Sequence, residues 1–287
     1  VDKAALIDGS VLANAPFRPA MDALKERPAR RQIDRRFVFI DPTPDPAASW
    51  TERKRLFDLP RSSWQDYDKG LISQGGGVFS RSAKSIQLTP EIKAALDITE
   101  DELDPVSLIR AILKAPADLL YLGGIGTYVK SAAETDAQVG DKGTDALRIN
   151  ADELRVKVVG EGANLGFTQA GRIVFGQGGG RMNTDAIDNS AGVDTSDHEV
   201  NIKILVGSAV TNGVLPAEDR APLLASMTEE VGLKVLAHNY DQTLALTLQQ
   251  AEGATALDAQ QRFMQALSAR GKPDRKVEGL PNDARIK

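Results

Sequence analysis

Between Val158 and Phe167 the chain reads VVGEGANLGF, a short β-branched run that enters Gly160, Gly162 and Gly166 with Glu161 and Asn164 between them. Glycine lets another group approach the main chain with no Cβ in the way, and an asparagine amide offers a donor and an acceptor together. That combination suits a flat polar ring lying against the backbone. The spacing G-x-G-x-x-x-G also resembles a pyrophosphate loop, but such a loop leads into a helix whose N-terminus faces the phosphates. Here FTQAGRIVF follows, a β-rich run containing a glycine, so the phosphate reading is the weaker one. No G-x-G-x-x-G occurs anywhere in the chain.

Three further places carry residues of this kind. Asp41 ends the apolar run RFVFI before DPTPDP. An acid at the end of the second strand of a dinucleotide-binding fold accepts hydrogen bonds from the adenosine ribose; the alternative is an Asp-Pro turn. LLYLGGIGTY places Gly123, Gly124 and Gly126 at a strand end, where a ligand could lie on main chain or the strand could simply turn. Asn189 precedes Ala191 and Gly192, and Ser196 stands three residues before Glu199. That spacing is a capping box, predicting a helix from Asp197 with Val200, Ile204 and Val210 facing inward. Ser196 would cap this helix, and its hydroxyl could also meet a carboxylate at the positive helix end.

The elements that must hold these residues alternate in type. RFVFI reads as a strand, SWTERKRLF as a helix opened by Ser49 and Glu52, and DPVSLIRAILKAP as a helix with Asp104 as N-cap and Pro105 in its first turn. ADLLYLGG and LRVKVVGEG read as buried strands. Helices alternating with short apolar strands predict an α/β fold with a mostly parallel sheet, whose ligands sit outside the carboxyl ends of the strands. After Leu215 the pattern is helical: PAEDRAPLLASM, TEEVGLKVLAHNYDQTLALTLQQA, then LDAQQRFMQALSARG with Gly271 as a C-cap. The tail from Lys272 reads as frayed. The division expected is an unassigned N-terminal segment over 1–36, a nucleotide-type domain over 37–215 and a helical segment over 216–287.

Composition limits the classes of function. The 287 residues carry 40 acids against 35 bases, a net charge of -5, and so lack the basic footprint of a nucleic-acid binder. The cluster RPARRQIDRR reads as a solvated linker or terminal helix, with a polyanion site as the alternative. Lys69, Arg81 and Lys84 read as a solvated loop in preference to an anion site. With no cysteine, disulfides and thiol nucleophiles are excluded, and a reducing cytoplasm is compatible and expected. His198 and His238 are the only histidines, too few for most metal clusters, so no metal is expected. No run reaches the roughly 20 apolar residues that span a bilayer, and the opening residues lack the pattern of a secretory leader.

The blocks FIDPTPDPAASWTERKRLFDLPRSSWQDYDKGLIS, GGGVFSRSAKSI, LIRAILKAPADLLYLGGIGTYVK, VVGEGANLGFTQAGRI and GGRMNTDAIDNSAGVDTSDHEVNIKIL resemble the large-subunit bacterial NAD-specific glutamate dehydrogenases over roughly residues 37 to 250. The smaller hexameric glutamate dehydrogenases share the strand end at Glu161–Asn164, the loop at Asn189–Val193, and Ser196. The resemblance implies a Rossmann-like fold, NAD as cofactor, L-glutamate and 2-oxoglutarate as substrate and product, and a homo-oligomer. It implies that Asp41, Gly124, Gly160, Gly162, Asn164 and Asn189 lie along the cofactor, the two asparagines at its nicotinamide end, and that Ser196 meets the glutamate side-chain carboxylate. It also implies that the first glycine-rich βα unit and the acid-base residues lie outside what this chain shows. No catalytic residue is identified in it, and on its own it is expected to be inactive. The alternative is a truncated, non-catalytic nucleotide-fold module that acts in assembly.

Overall fold

The structure is a computed structural model that describes residues 51, 55, 66–162, 164–272 and 274–286. The strand read at RFVFI, Asp41 and the segment 1–36 lie outside them. Of the helix read at SWTERKRLF, Thr51 and Arg55 are described and both are helical. The described residues fall into two compact units, one ending at Asp188 and the other beginning at Asn189.

The first unit is α/β. In chain order it holds β1 (Ile86–Gln87), α1 (Pro90–Leu96), β2 (Glu102–Leu103), α2 (Pro105–Leu113), β3 (Leu119–Leu122), β4 (Val129–Lys130), α3 (Asp136–Val139), β5 (Ile149–Asn150), β6 (Val158–Glu161), α4 (Gln169–Gln177) and α5 (Asp185–Asp188). α2 begins where its sequence predicts: the Asp104 carboxylate accepts from Val106 N and Ser107 N at 2.9 and 3.1 Å, and Pro105 follows it. The pairing is parallel for β3 with β6, in register Leu119↔Val158 to Leu122↔Glu161, and for β4 with β5. β1 and β2 pair antiparallel. The strands are shorter than the sequence runs suggest, and each described sheet has two of them.

The principal core gathers Leu113 from α2, Leu120 and Leu122 from β3, Val129, Ile149, Val159, Phe167 and Phe175. A second cluster joins Ile86, Leu88, Leu96, Leu108 and Ala115. Parallel strands place their carboxyl ends at the same edge, so Leu122 and Glu161 deliver Gly123 and Gly162 side by side.

Several expectations need correction. FTQAGRIVF is not β-rich structure: Gln169–Gln177 is the helix α4, capped by Thr168, whose Oγ1 accepts from Gly171 N at 2.9 Å. The Ile-Val-Phe run stays helical because one face buries Phe175 against Phe167, ring centroids 6.3 Å apart. Gly171 lets that face close on β4, since a Cβ there would lie 3.2 Å from Lys130 Cα. Burial outweighs the modest helix penalty of β-branched residues.

The second unit is helical: α6 (Ser190–Thr211), α7 (Arg220–Ser226), α8 (Thr228–Glu252), α9 (Leu257–Ala269) and α10 (Asp283–Ile286). α6 starts at Ser190, six residues before Ser196, so Ser196 is not a cap and the Ser196–Glu199 capping box does not form. The helix start is closed by backbone, with Gly192 N and Val193 N both donating to Asn189 O. Glu199 instead pairs with Lys203 one turn on. Val200 and Ile204 are exposed, at 51% and 66%, and Val206 is the buried apolar residue of α6. Gly271, at φ 77, follows the C-terminus of α9 in the left-handed conformation that ends helices. The tail is not frayed throughout. Asp283 of α10 accepts from Arg275 at 2.5 Å and from Gln265 of α9 at 2.8 Å.

Thr168 also donates to Glu134 Oε2 at 2.6 Å. Thr168→Ala therefore removes a helix cap and a second bond, and should cost about 1–2 kcal/mol of stability by urea denaturation; an unchanged midpoint would return the segment to a loosely held run.

Candidate functional site

The glycines of VVGEGANLGF do lie under a flat ring, and that ring belongs to the protein. Tyr121 of β3 faces Gly160 and Gly162 of the paired strand end: a Cβ on Gly160 would lie 2.9 Å from Tyr121 Cδ2, and one on Gly162 would lie 1.9 Å from the phenol oxygen. Gly166 is held small by Leu122, whose Cδ1 would be 2.5 Å from its Cβ. The spacing of glycines alone could not separate packing of this kind from contact with a ligand.

The acid inside the motif has a defined role. Glu161 is fully buried. Its carboxylate accepts from Arg172 Nε at 2.7 Å, from Arg172 Nη2 at 2.9 Å and from Phe167 N at 3.2 Å. Arg172 Nη2 also donates to Asp185 at 3.0 Å, and Asp185 accepts from Leu165 N at 2.8 Å. Asp188 closes the set, taking Glu161 N at 2.9 Å and Asn183 Nδ2 at 2.9 Å. Burial pushes the Glu161 carboxyl above the ordinary glutamate value, with the Arg172 and Phe167 bonds opposing the rise. Burial likewise raises Asp188, against its bonds from Asn183 and Glu161 N–H. Arg172 is raised because Glu161 and Asp185 outweigh its own burial.

This network fixes the turn carrying Asn164. Leu165 adopts φ 57, a left-handed conformation unusual for a branched residue, and its amide is held by Asp185. Asn164 beside it is exposed at the carboxyl end of β6. The neighbouring loop after β3 is anchored by Arg148, whose side chain is fully buried and donates to Asp136 and Asp145, both at 2.7 Å, and to the carbonyls of Thr127 and Asp141. Thr127 N in turn donates to Asp141 at 2.9 Å. Gly124 and Gly126 belong to that loop, and Gly126 has φ 133.

Of the residues singled out in the sequence, Gly124, Gly160, Gly162 and Asn164 thus gather at one edge of the first unit. Asn189 and Ser196 belong to the second unit. Asn189 flanks the start of α6, and Gly192 is small because the Asn189 amide oxygen would lie 2.7 Å from a Cβ there. Ser196 is exposed in the second turn of α6. Lys69 lines a shallow depression with Ile72, Ser73, Gly76, Gly77 and Val78.

Sequence reasoning missed the Glu161–Arg172 pair, which no spacing rule announces across eleven residues. It also dismissed the histidines, which meet: His238 of α8 and His198 of α6 both approach Asp194. The Asp194–His198 spacing of four on a helix was the available signal.

Residues 24–249 match the family model described as bacterial NAD-glutamate dehydrogenase, catalytic domain. The chain belongs to this family. It is 58% identical over 249 residues to the NAD-specific glutamate dehydrogenase of Pseudomonas aeruginosa, 55% over 249 to that of Halomonas elongata and 51% over 260 to that of Mycobacterium tuberculosis. These alignments cover 87 to 88% of this chain and 15 to 16% of the relatives, so the chain spans about a sixth of their length. No helix among the described residues is long and apolar enough to cross a membrane.

Two substitutions test the site's construction. Arg172→Met leaves Glu161 buried without its cation and should cost about 3–5 kcal/mol near neutrality. An acid whose folded pKa exceeds its unfolded value, near 4.5 for glutamate, binds more protons folded than unfolded in the interval between. Its contribution is therefore full at low pH and lost as pH rises through the folded value. The variant's deficit should be smaller at about pH 5 than at about pH 8 by urea denaturation; a pH-independent deficit would show that Glu161 keeps its charge by other means. Gly162→Ala, which collides with Tyr121, should cost about 1–3 kcal/mol and recover partly when combined with Tyr121→Leu. Additive losses in that double variant would mean that Tyr121 does not set the glycine requirement.

Proposed function

We propose that this chain forms the nicotinamide wall and one end of the substrate site of an NAD-dependent enzyme that oxidatively deaminates L-glutamate to 2-oxoglutarate and ammonia. The observation that carries the reading is the exposed Asn164 turn at the carboxyl end of a parallel strand pair, where α/β sheets bind ligands, in a chain of this family. Residues 37–215 are read as a Rossmann-like, dinucleotide-binding part that lacks its first glycine-rich βα unit, followed by a helical segment over 216–287. The protein is read as cytoplasmic.

NAD would supply the hydride acceptor for oxidation at the glutamate α-carbon, and Asp41, Gly124, Asn164 and Asn189 are the residues read as holding it. The residues of this chain bind and orient. Asn164 and Asn189 are read from the family resemblance as offering amide groups to the nicotinamide end, and Gly124 as lying along the cofactor. Gly160 and Gly162 are read as lying along the cofactor by shaping the strand end that carries Asn164, the space a Cβ would fill at each being taken by the ring of Tyr121. Asp41 accepts from the adenosine ribose and repels a 2′-phosphate. Ser196 donates its hydroxyl to the glutamate side-chain carboxylate. None of these residues is assigned a proton transfer. A homo-oligomer is supported by the apolar stripe of Leu233, Leu236, Tyr240 and Leu244 along α8, all exposed, since patches of this kind mark surfaces that are covered in an assembly.

Because Ser196 lies inside α6 and not at its cap, its stability and substrate roles separate cleanly. In a full-length enzyme carrying this region, Ser196→Ala and Ser196→Asp should each change stability by no more than about 0.5 kcal/mol. Ser196→Asp, which sets like charges together, should raise the glutamate Michaelis constant by about tenfold or more, with Ser196→Ala intermediate. A normal constant in the aspartate variant would remove Ser196 from the substrate site.

A further inference from the structure

The chain has two histidines, and the fold brings both to one carboxylate. Asp194 and His198 are one helical turn apart on α6. His238 comes from α8, which packs alongside. His198 Nδ1 lies 3.2 Å from Asp194 Oδ1 and His238 Nδ1 lies 2.9 Å from Asp194 Oδ2. The imidazole rings are 5.3 Å apart and inclined by 31°. One ligand atom from each of the three residues can be chosen so that all lie within 4.8 Å of one another.

We propose that Asp194, His198 and His238 form a binding site for a single first-row transition-metal dication, zinc being the simplest occupant. Donors held at about 2.0–2.1 Å around a tetrahedral zinc stand roughly 3.3 Å apart; the two nitrogen–oxygen separations of 3.2 and 2.9 Å are of that size, and the three ligand atoms, already within 4.8 Å of one another, would draw together around the ion. Two imidazole nitrogens and one carboxylate oxygen form a donor set for zinc, cobalt or nickel; magnesium and calcium prefer oxygen alone. His238 is 46% exposed while His198 and Asp194 are 23% and 19% exposed. An ion can therefore enter from solvent, and water can fill the remaining position. In the ion's absence the ring nitrogens hydrogen-bond to Asp194, with His198 Nδ1 also 2.8 Å from the Asp194 carbonyl oxygen. On binding, those nitrogens present lone pairs and each ring keeps its proton on the other nitrogen. The ion would then brace α6 against α8 by a link that neither helix supplies alone. This inference is independent of the proposed catalytic role.

The test uses the whole 287-residue chain, stripped with chelator and dialysed against zinc or cobalt. One ion per chain is expected, with a rise in melting temperature on zinc addition and the visible absorption of low-coordinate cobalt. Asp194→Asn, His198→Gln and His238→Gln should each weaken zinc binding by about tenfold or more, with helical content by circular dichroism unchanged. In the unaltered chain, zinc should also protect both histidines from diethyl pyrocarbonate, a readout that needs no variant. No stoichiometric binding, variants that bind as well as the parent, or histidines modified equally with and without zinc would each overturn the proposal.

Discussion

The buried Glu161–Arg172 ion pair is the constraint on which the first unit's functional edge depends. Glu161 is the last residue of β6, Arg172 sits in the first turn of α4, and between them the chain must turn sharply enough to expose Asn164. A bidentate guanidinium-carboxylate contact with no exposure of the acid is costly to desolvate, and such pairs often add little net stability compared with apolar packing. Its effect is geometric. Two parallel N–H bonds fix the orientation of Arg172, Arg172 reaches on to Asp185, and Asp185 holds the amide of Leu165 in a left-handed conformation. Asp188 secures the backbone of Glu161 from the other side.

The same edge shows how glycine serves packing and exposure together. Tyr121 and Glu161 sit on neighbouring parallel strands, so the ring of the one sweeps across the glycines that flank the other. Removing Cβ atoms at Gly160 and Gly162 allows two strands and an aromatic ring to share a space that side chains would fill. Beside it, Arg148 gathers the loop after β3 as Arg172 gathers the turn after β6. Arg172 satisfies the buried carboxylate of Glu161, and Arg148 draws together the carbonyls of Thr127 and Asp141 with the part-exposed carboxylates of Asp136 and Asp145.

The second unit is built differently. Its helices bury few residues, Val206 on α6 and Val235 on α8 among them, and they leave leucines exposed along α8. Where apolar burial is sparse, polar links between helices matter more. Asp194 with both histidines, and Asn239 donating to Ser190 at 2.9 Å, supply such links between α6 and α8.

Much of this was legible in sequence wherever the determining interaction is local. Asp104 and Pro105 start α2, the apolar runs at Leu119 and Val158 make strands, and Gly271 follows α9 in the left-handed conformation, because caps, short strands and left-handed residues are decided within a few residues. The family, too, was readable from long blocks of residues. The start of α6 was not: Ser196 and Glu199 have capping-box spacing, yet backbone bonds to Asn189 and the burial of Ser190 extend the helix upstream. Nor was α4, whose β-branched run is kept helical by Phe167, a residue of the preceding turn. The ring over the glycines, the partner of Glu161 and the meeting of His198 with His238 join residues 11 to 41 positions apart in the chain. Only the tertiary structure decides such contacts, because they depend on which helix packs on which strand, and local propensity carries no information about that choice.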